Sequence, residues 1–358
     1  MRRPKGIVVV PSTTQSTGPW LDATRASALQ RVANRPIVCH VLDSLLAAGV
    51  VEVAIVAPPD VADEIAICVG SEAPAGIEAH HLVIDHHDEP VDALLAAADF
   101  VSDAPCILHC ADGLLGQPLL PFIELLREES PNVLLLVQQD ERDVKRLRLV
   151  TQRSISVSEL DPTEATLGVA GACLLGPGAL GRISDGGRSE RSASGLDFAT
   201  VAERLADNDG HVQVRVVHKW RQFAGDVLDL LDMNRTMLDA LEPETIANES
   251  DGNRFEGRIA IHPTACVMSS VIVGPVIVGA DALITDSYIG PHTSIGEHVR
   301  VEGAEIERSI ILAGASVLHV GGRLVASVVG RDARIFRDFS MPRALRLQVG
   351  DGDQVALC

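Results

Sequence analysis

Lysine is almost missing: Lys5, Lys145 and Lys219 are the only three in 358 residues, while arginine is plentiful. An Arg- and Ala-rich bias of this kind follows from a GC-rich genome and carries no function by itself. Positive charge as a whole is short, with 30 Lys and Arg against 49 Asp and Glu. The resulting net charge of −19 argues against nucleic acid or an anionic membrane as a main partner. No stretch reaches the roughly 18 apolar residues of a membrane span. The amino terminus also lacks the apolar core of a signal peptide, so a cytoplasmic location is expected. The seven cysteines (39, 68, 106, 110, 173, 266 and 358) are odd in number, scattered and free of any C-x-x-C pair. That pattern fits reduced thiols in a cytoplasm better than a disulfide framework or a zinc site.

What is present is a globular composition, 46% hydrophobic and 22% charged, at a length suited to about two domains. Up to residue 241, strand-like runs (Ile7–Val10, Val51–Ala57, Leu82–Ile84, Cys106–Cys110, Val133–Val137, Val169–Leu175, Val212–Val217) alternate with helical patterns. The helical segments are Pro36–Ala48, Val61–Val69, Asp92–Phe100, Leu119–Glu128, Asp197–Leu205 and Val227–Leu241. Such alternation predicts a Rossmann-like α/β domain over 1–241, a mostly parallel sheet with helices on both faces. The polar, acidic stretch 242–257 is expected to be a linker. From 258 to 336 an aliphatic residue recurs every six positions with occasional five-residue steps: Ile261, Val267, Val278, Ile284, Ile289, Ile295, Val301, Ile306, Ile311, Val317, Val329 and Ile335. Small residues follow many of these anchors, among them Gly279, Gly290, Gly296 and Gly330. This hexapeptide repeat predicts a left-handed parallel β-helix of about four coils, its aliphatics inside and its small residues at the corners. Residues 337–358 are expected to add carboxy-terminal strands.

The stretch "VVVPSTTQSTGPWLDATRASALQRVANRP" (8–36) poses the functional question. A buried strand followed by a loop and a helix usually cradles phosphate, which requires glycine and commonly a cation. Here the loop has neither glycine at its turn nor lysine. The nucleotide-type α/β domain joined to a short β-helix resembles the sugar-1-phosphate nucleotidyltransferases, in particular long-form glucose-1-phosphate thymidylyltransferases. "VANRPIVCHVLDSLLAAGVVEVAIV", "GPVIVGADALITDSYIGPHTSIGEHVRVEGAEIERSIIL" and "ALRLQVGDGDQVAL" carry the resemblance, which covers nearly the whole chain. It implies a G-G-x-G-T-R loop whose glycines fall on Ser12, Thr13 and Gln15 and whose arginine falls on Thr17. The lysine ahead of the family's "VANKP" falls on Ser27.

The same resemblance places a Mg²⁺ carboxylate at Asp112, in "HCADGLLG", and a second in a D-T-G at Gln222-Phe223-Ala224-Gly225, with Asp226 displaced by a few residues. The base-reading loop becomes "IDHHDEPVDAL", with replacements near Ile84 and Glu89. The sugar-side lysine gives way to Leu160, and of the late E-I-T-D only Asp197 is partly kept. Gly171, Trp20 and Phe223 complete the implied pocket lining. Losing one charge-stabilising donor typically costs roughly 10²–10³ in rate, so this resemblance implies a degenerate site in which Mg²⁺ matters only if nucleotidyl transfer survives. No other cofactor is expected.

Candidate acid–base groups are Asp112, His109, His86 and His87. Each has a plainer alternative: Asp112 as a strand-end cap, His109 as a satisfied core histidine, and "HHLVIDHHDE" (80–89) as a solvated loop whose spacing matches no zinc signature. "GPGALG" (176–181) lacks the strand–turn–helix context of a dinucleotide fingerprint and contains Pro177, so it is a chance string. His262, His292, His298 and His319 on the β-helix are expected to be solvated. Three functions follow. The pocket is re-used for a neutral or less charged small molecule, as in a cyclisation or isomerisation of secondary metabolism. Alternatively, the chain is a non-catalytic subunit of a homo-oligomer or of an active paralogue. In the third, it is an active glucose-1-phosphate thymidylyl- or uridylyltransferase with displaced groups such as Asp226.

Overall fold

The computed structural model describes residues 2–11, 26–85, 90–139, 155–157, 167–183, 198–207, 211–242 and 252–337. Eight strands form one sheet in the spatial order Glu78–Val83, Glu52–Ala57, Lys5–Val9, Cys106–Cys110, Leu167–Leu175, Val133–Gln139, Val212–Val216, Ile155–Val157. Only Leu167–Leu175 runs antiparallel to its neighbours among these pairings. The central strands read as continuous aliphatic runs because helices cover both faces, leaving no side for polar residues. Ile7, Val8, Val9, Leu108 and Leu136 are all fully buried. Helices Ile37–Ala47 and Ala62–Glu72 pack together, as do Pro90–Ala96 and Ala199–Asp207. The helical pattern Asp92–Phe100 resolves into two pieces, Pro90–Ala96 and Ala98–Val101, with the break at Ala97. None of the described helices is long and apolar enough to cross a membrane.

The first strand is flanked by Glu52–Ala57 on one side and Cys106–Cys110 on the other, so the connections diverge there. In open α/β sheets such a switch point leaves a crevice beyond the carboxyl ends of the strands. Val10 and Cys110 end at that crevice, and Asp112 lies two residues past the latter. A small antiparallel ribbon, Gly113–Leu115 with Trp220–Gln222, sits at the same place and pairs Gly113 with Gln222.

The carboxy-terminal domain is a three-sided parallel β-helix, each side a five-stranded sheet. That makes five coils rather than four, because the repeat is tighter than 18 residues in most turns. Arg254 pairs with Val271 and Val271 with Tyr288, a step of 17, while Ser294 pairs with Ile310, a step of 16. The first coil opens with the strand Arg254–Glu256, ahead of residue 258. All twelve aliphatic anchors lie in the prism core or pack against it. Gly303 and Gly314 do turn left-handed corners, but Gly279 and Gly296 have a different reason. A Cβ on Gly279 would stand 2.7 Å from the Glu297 nitrogen of the next coil, and one on Gly296 2.8 Å from that of Ala313. Most of the left-handed corners are instead polar, among them Asp281, Asp286, His292, His298, His319 and Asp332.

The two domains meet on a polar seam. Asn234, wholly buried on helix Val227–Asp239, accepts from the Ala33 N–H at 2.8 Å and the Ser294 hydroxyl at 2.6 Å, and donates to the His292 carbonyl at 3.1 Å. Asn34 donates to the Ile295 carbonyl. Asp239 meets the His292 imidazole at 3.0 Å. His292 is therefore a domain bridge, and the expectation of a solvated ring does not hold there.

Candidate functional site

Strand Cys106–Cys110 delivers Asp112 to the crevice through a one-residue step, Ala111, whose N–H is held by the Val9 carbonyl. Asp112 is 3% exposed and its two oxygens face different partners. The Ser27 hydroxyl, on the 3₁₀ turn Ser27–Leu29, donates to Oδ2 at 2.9 Å. The Gln222 amide donates to Oδ1 at 3.1 Å, a contact made by the ribbon register that sets Gln222 opposite Gly113. The Cys110 thiol donates to the same carboxylate. Burial pushes the Asp112 carboxyl above its ordinary range, against the pull of those hydrogen bonds. Burial and the adjacent Asp112 charge hold the Cys110 thiol protonated.

Ser27, at the position the resemblance gives to a lysine, Asp112, at that of a Mg²⁺ carboxylate, and Gln222, in the stretch that stands where the D-T-G is implied, thus converge in space. Within that stretch Phe223 and, beyond it, Asp226 are the residues the sequence singles out, whereas Gln222 is the one that reaches Asp112. Its slot in that motif is the signal that finds it. A hard divalent cation takes oxygen ligands, commonly one or two carboxylates plus water and phosphate. Here the single carboxylate is already hydrogen-bonded on both oxygens, and Gln222 turns its NH₂ toward it. Among the described residues no cluster of three or more His, Cys, Asp or Glu could hold a metal. The described floor of the crevice therefore does not fit Mg²⁺ held by paired carboxylates.

The other described candidates take different places. His109 is 1% exposed, donates Nδ1 to the Cys110 carbonyl at 2.7 Å and lies 5.4 Å from the Trp220 ring, tilted 57°. Burial lowers its imidazole to about 4, so it is neutral at physiological pH, in the manner of a packed core ring. Gly171 faces the Cys110 sulfur and the Trp220 indole rather than open space: a Cβ there would stand 2.6 Å from the sulfur and 2.8 Å from the ring. Phe223 is buried beside the cluster and its N–H donates to the Asp112 carbonyl at 3.1 Å. Asp226 caps helix Val227–Asp239, its Oδ1 accepting the Leu228 N–H at 3.1 Å. Ile84 is partly buried against the sheet-domain core. Ser12, Thr13, Gln15, Thr17, Trp20, His86, His87, Glu89 and Asp197 lie outside the described residues.

No family model matches the chain. It is 28% identical to a glucose-1-phosphate thymidylyltransferase of Streptomyces griseus, over 97% of this chain and 98% of that one. A glucose-1-phosphate thymidylyltransferase of Streptomyces antibioticus is also 28% identical, over 93% of this chain and 94% of its own. The low-salt glycan biosynthesis nucleotidyltransferase Agl11 of Haloferax volcanii is 26% identical over 99% of this chain and its whole length. Among solved structures, a Bacillus anthracis protein assigned as a glucose-1-phosphate thymidylyltransferase, crystallised with sucrose, superposes with a TM-score of 0.53 at 17% identity. It spans 64% of this chain and 93% of that one, and shares the fold.

Proposed function

We propose that this protein is a member of the sugar-1-phosphate nucleotidyltransferase family that no longer transfers nucleotidyl groups. Its crevice instead takes a neutral or weakly charged small molecule, for a cyclisation or isomerisation step of the kind found in secondary metabolism. One observation carries this reading: Asp112 is hydrogen-bonded by Ser27 and Gln222, where a lysine and a second carboxylate are implied by the family. Phosphoryl transfer needs positioning and charge neutralisation more than any covalent help from the protein. A floor made of a hydroxyl, an amide and a thiol around one carboxyl supplies neither cation nor metal. It does supply a proton site. A carboxyl raised by burial and surrounded by neutral donors is suited to general acid–base work on an uncharged substrate.

The test is pyrophosphate release from dTTP or UTP with glucose-1-phosphate and Mg²⁺. The expected result is no turnover above the uncatalysed background. Robust Mg²⁺-dependent turnover would overturn the proposal in favour of an active enzyme, as the names of the relatives suggest. A second reading, a non-catalytic subunit working with an active paralogue or as a homo-oligomer, draws on the indole of Trp220 and the thiol of Cys110, which occupy the space over Gly113 and Gly171. Co-purification with an active nucleotidyltransferase whose rate it alters would favour that reading.

A further inference from the structure

The two side chains that hold Asp112 arrive on separate segments, and both segments run to one buried amide. Ser27 opens the turn Ser27–Leu29, which leads straight into the hairpin of Arg31–Val32 with Arg35–Pro36. The hairpin is braced from within. The Ile37 N–H donates to the Gln30 carbonyl at 2.9 Å, His40 Nε2 to the Val32 carbonyl at 2.8 Å, and the Arg31 guanidinium to the Asn34 carbonyl at 2.7 Å. Its flank is tied to the sheet domain by Arg31 on Glu72 and Arg35 on Asp43. Its tip, Ala33 and Asn34 at positive φ, is tied instead to the seam, at the Asn234 side chain and the Ile295 carbonyl. Gln222 is carried by an equally braced corner: the Ala224 N–H donates to Asp229 Oδ2 at 2.9 Å and the Leu228 N–H to Asp226. Both carboxylates stand at the start of helix Val227–Asp239, whose middle bears Asn234.

We propose that Asn234 is a positioning residue through which the seated β-helix holds the crevice floor in place. With Ser294 and Ile295 on the seam, the hairpin sets Ser27 on one oxygen of Asp112 and the helix sets Gln222 on the other. Losing the seat releases both arms together, and the floor opens while the sheet beneath it stays folded. Elements braced by their own hydrogen bonds move as units, so a shift at the hairpin tip or at the middle of the helix is passed to its far end. The β-helix thereby regulates access to the Asp112 carboxyl, which rests on the reading of that floor as the working part of the crevice. Such coupling is a free energy, and it is measured by breaking a contact at the seam and following the floor.

Cys110, two residues before Asp112 and wholly buried, is the reporter, because a buried thiol is alkylated only through local opening. Cys106 and Cys173, also buried in the same sheet, are internal controls. The full-length protein is treated with N-ethylmaleimide under native conditions, and the rate at each cysteine is followed by peptide mapping. Ser294→Ala removes one donor to Asn234 from the β-helix side. Asn34→Gly removes the bond to the Ile295 carbonyl while keeping the positive φ that glycine tolerates. Each variant should speed Cys110 alkylation by about fivefold, the effect of losing one hydrogen bond of ordinary net strength, with Cys106 and Cys173 unchanged. An unchanged Cys110 rate in the folded variants would overturn the proposal, as would an equal rise at all three cysteines, which reports global loosening. Either variant alone decides the matter, so the test survives the misfolding of one. The labelling needs no substrate, so its failure leaves the pyrophosphate assay and the reading it tests untouched.

Discussion

A Cβ added to Gly113 would stand 2.4 Å from the Trp220 ring and 2.7 Å from the Cys110 sulfur, and Gly171 is almost as tight. Trp220 is itself only 4% exposed, so the ring has nowhere to retreat. Gly113→Ala and Gly171→Ala should each destabilise the fold by about 1–3 kcal/mol, the usual cost of overpacking, read as a lower urea midpoint with an unchanged slope. Two buried histidines make a second prediction at this scale. Burial depresses both His109 and His40 to about 4, and each donates to a backbone carbonyl, of Cys110 and Val32 respectively. A folded-state value below the unfolded one of about 6.5 means the unfolded chain binds protons that the native one refuses. Their contribution is intact above that unfolded value and is lost as pH falls toward 4. The loss is on the order of 3 kcal/mol per ring between pH 7 and 4, from the linkage of about 1.4 kcal/mol per pH unit. Urea titrations across that range should therefore show the stability of His109→Leu rising relative to the wild type as the pH drops. Parallel curves would contradict a neutral buried imidazole.

At the level of the element, helix Val227–Asp239 does three jobs from one short sequence. Asp226 caps its start, Asn234 ties its middle to both the Ala33 turn and the Ser294 coil, and Asp239 meets His292 near its end. Asn234→Ala leaves the Ala33 N–H and the Ser294 hydroxyl without their buried acceptor. The expected cost is about 2–3 kcal/mol, from the desolvation penalty of stranded polar groups. Calorimetry should also show the sheet-domain and β-helix components unfolding further apart in temperature than in the wild type. This element shows what a linear pattern reveals and what it hides. Its apolar spacing announces a helix from Val227 onward, and the observed span matches to within two residues. Nothing in that spacing distinguishes Asn234 from a solvent-facing residue, because its partners lie about 60 and 200 positions away. In sequence Asp226 looks like a displaced carboxylate, because its proximity to the D-T-G slot is the only cue there. The β-region backbone at Asp226 and its bond to the Leu228 N–H supply the missing context.

For the whole molecule, architecture was far easier to read than chemistry. Strand and helix alternation, and twelve aliphatics spaced to fit a prism, are redundant signals in which a single misassigned residue changes little. The described part of the crevice depends on single residues brought together from three distant segments, at 27, 112 and 222, so one overlooked amide alters its meaning. The resemblance places an implied lysine at Ser27, but the bond of Ser27 to Asp112 follows only from the fold. The packing of Gly171 against Trp220 and Cys110 is likewise hidden, because an indole above a glycine leaves no mark on the glycine's own sequence.

The seam at Asn234 settles a difficulty peculiar to repeating architectures. A prism of five near-equivalent coils offers a neighbouring domain several similar seats, one coil apart, and greasy contact alone would distinguish them poorly. The Asn234–Ser294 bond matches one rung and no other, since Ser294 has Ile277 below it and Ile310 above, and the Asn34 bond to the Ile295 carbonyl adds to the hold at that rung. A shift by one rung would set aliphatic side chains against a buried amide. The polar staple thus acts as an index mark, fixing the docking register of a structure that would otherwise be free to slide.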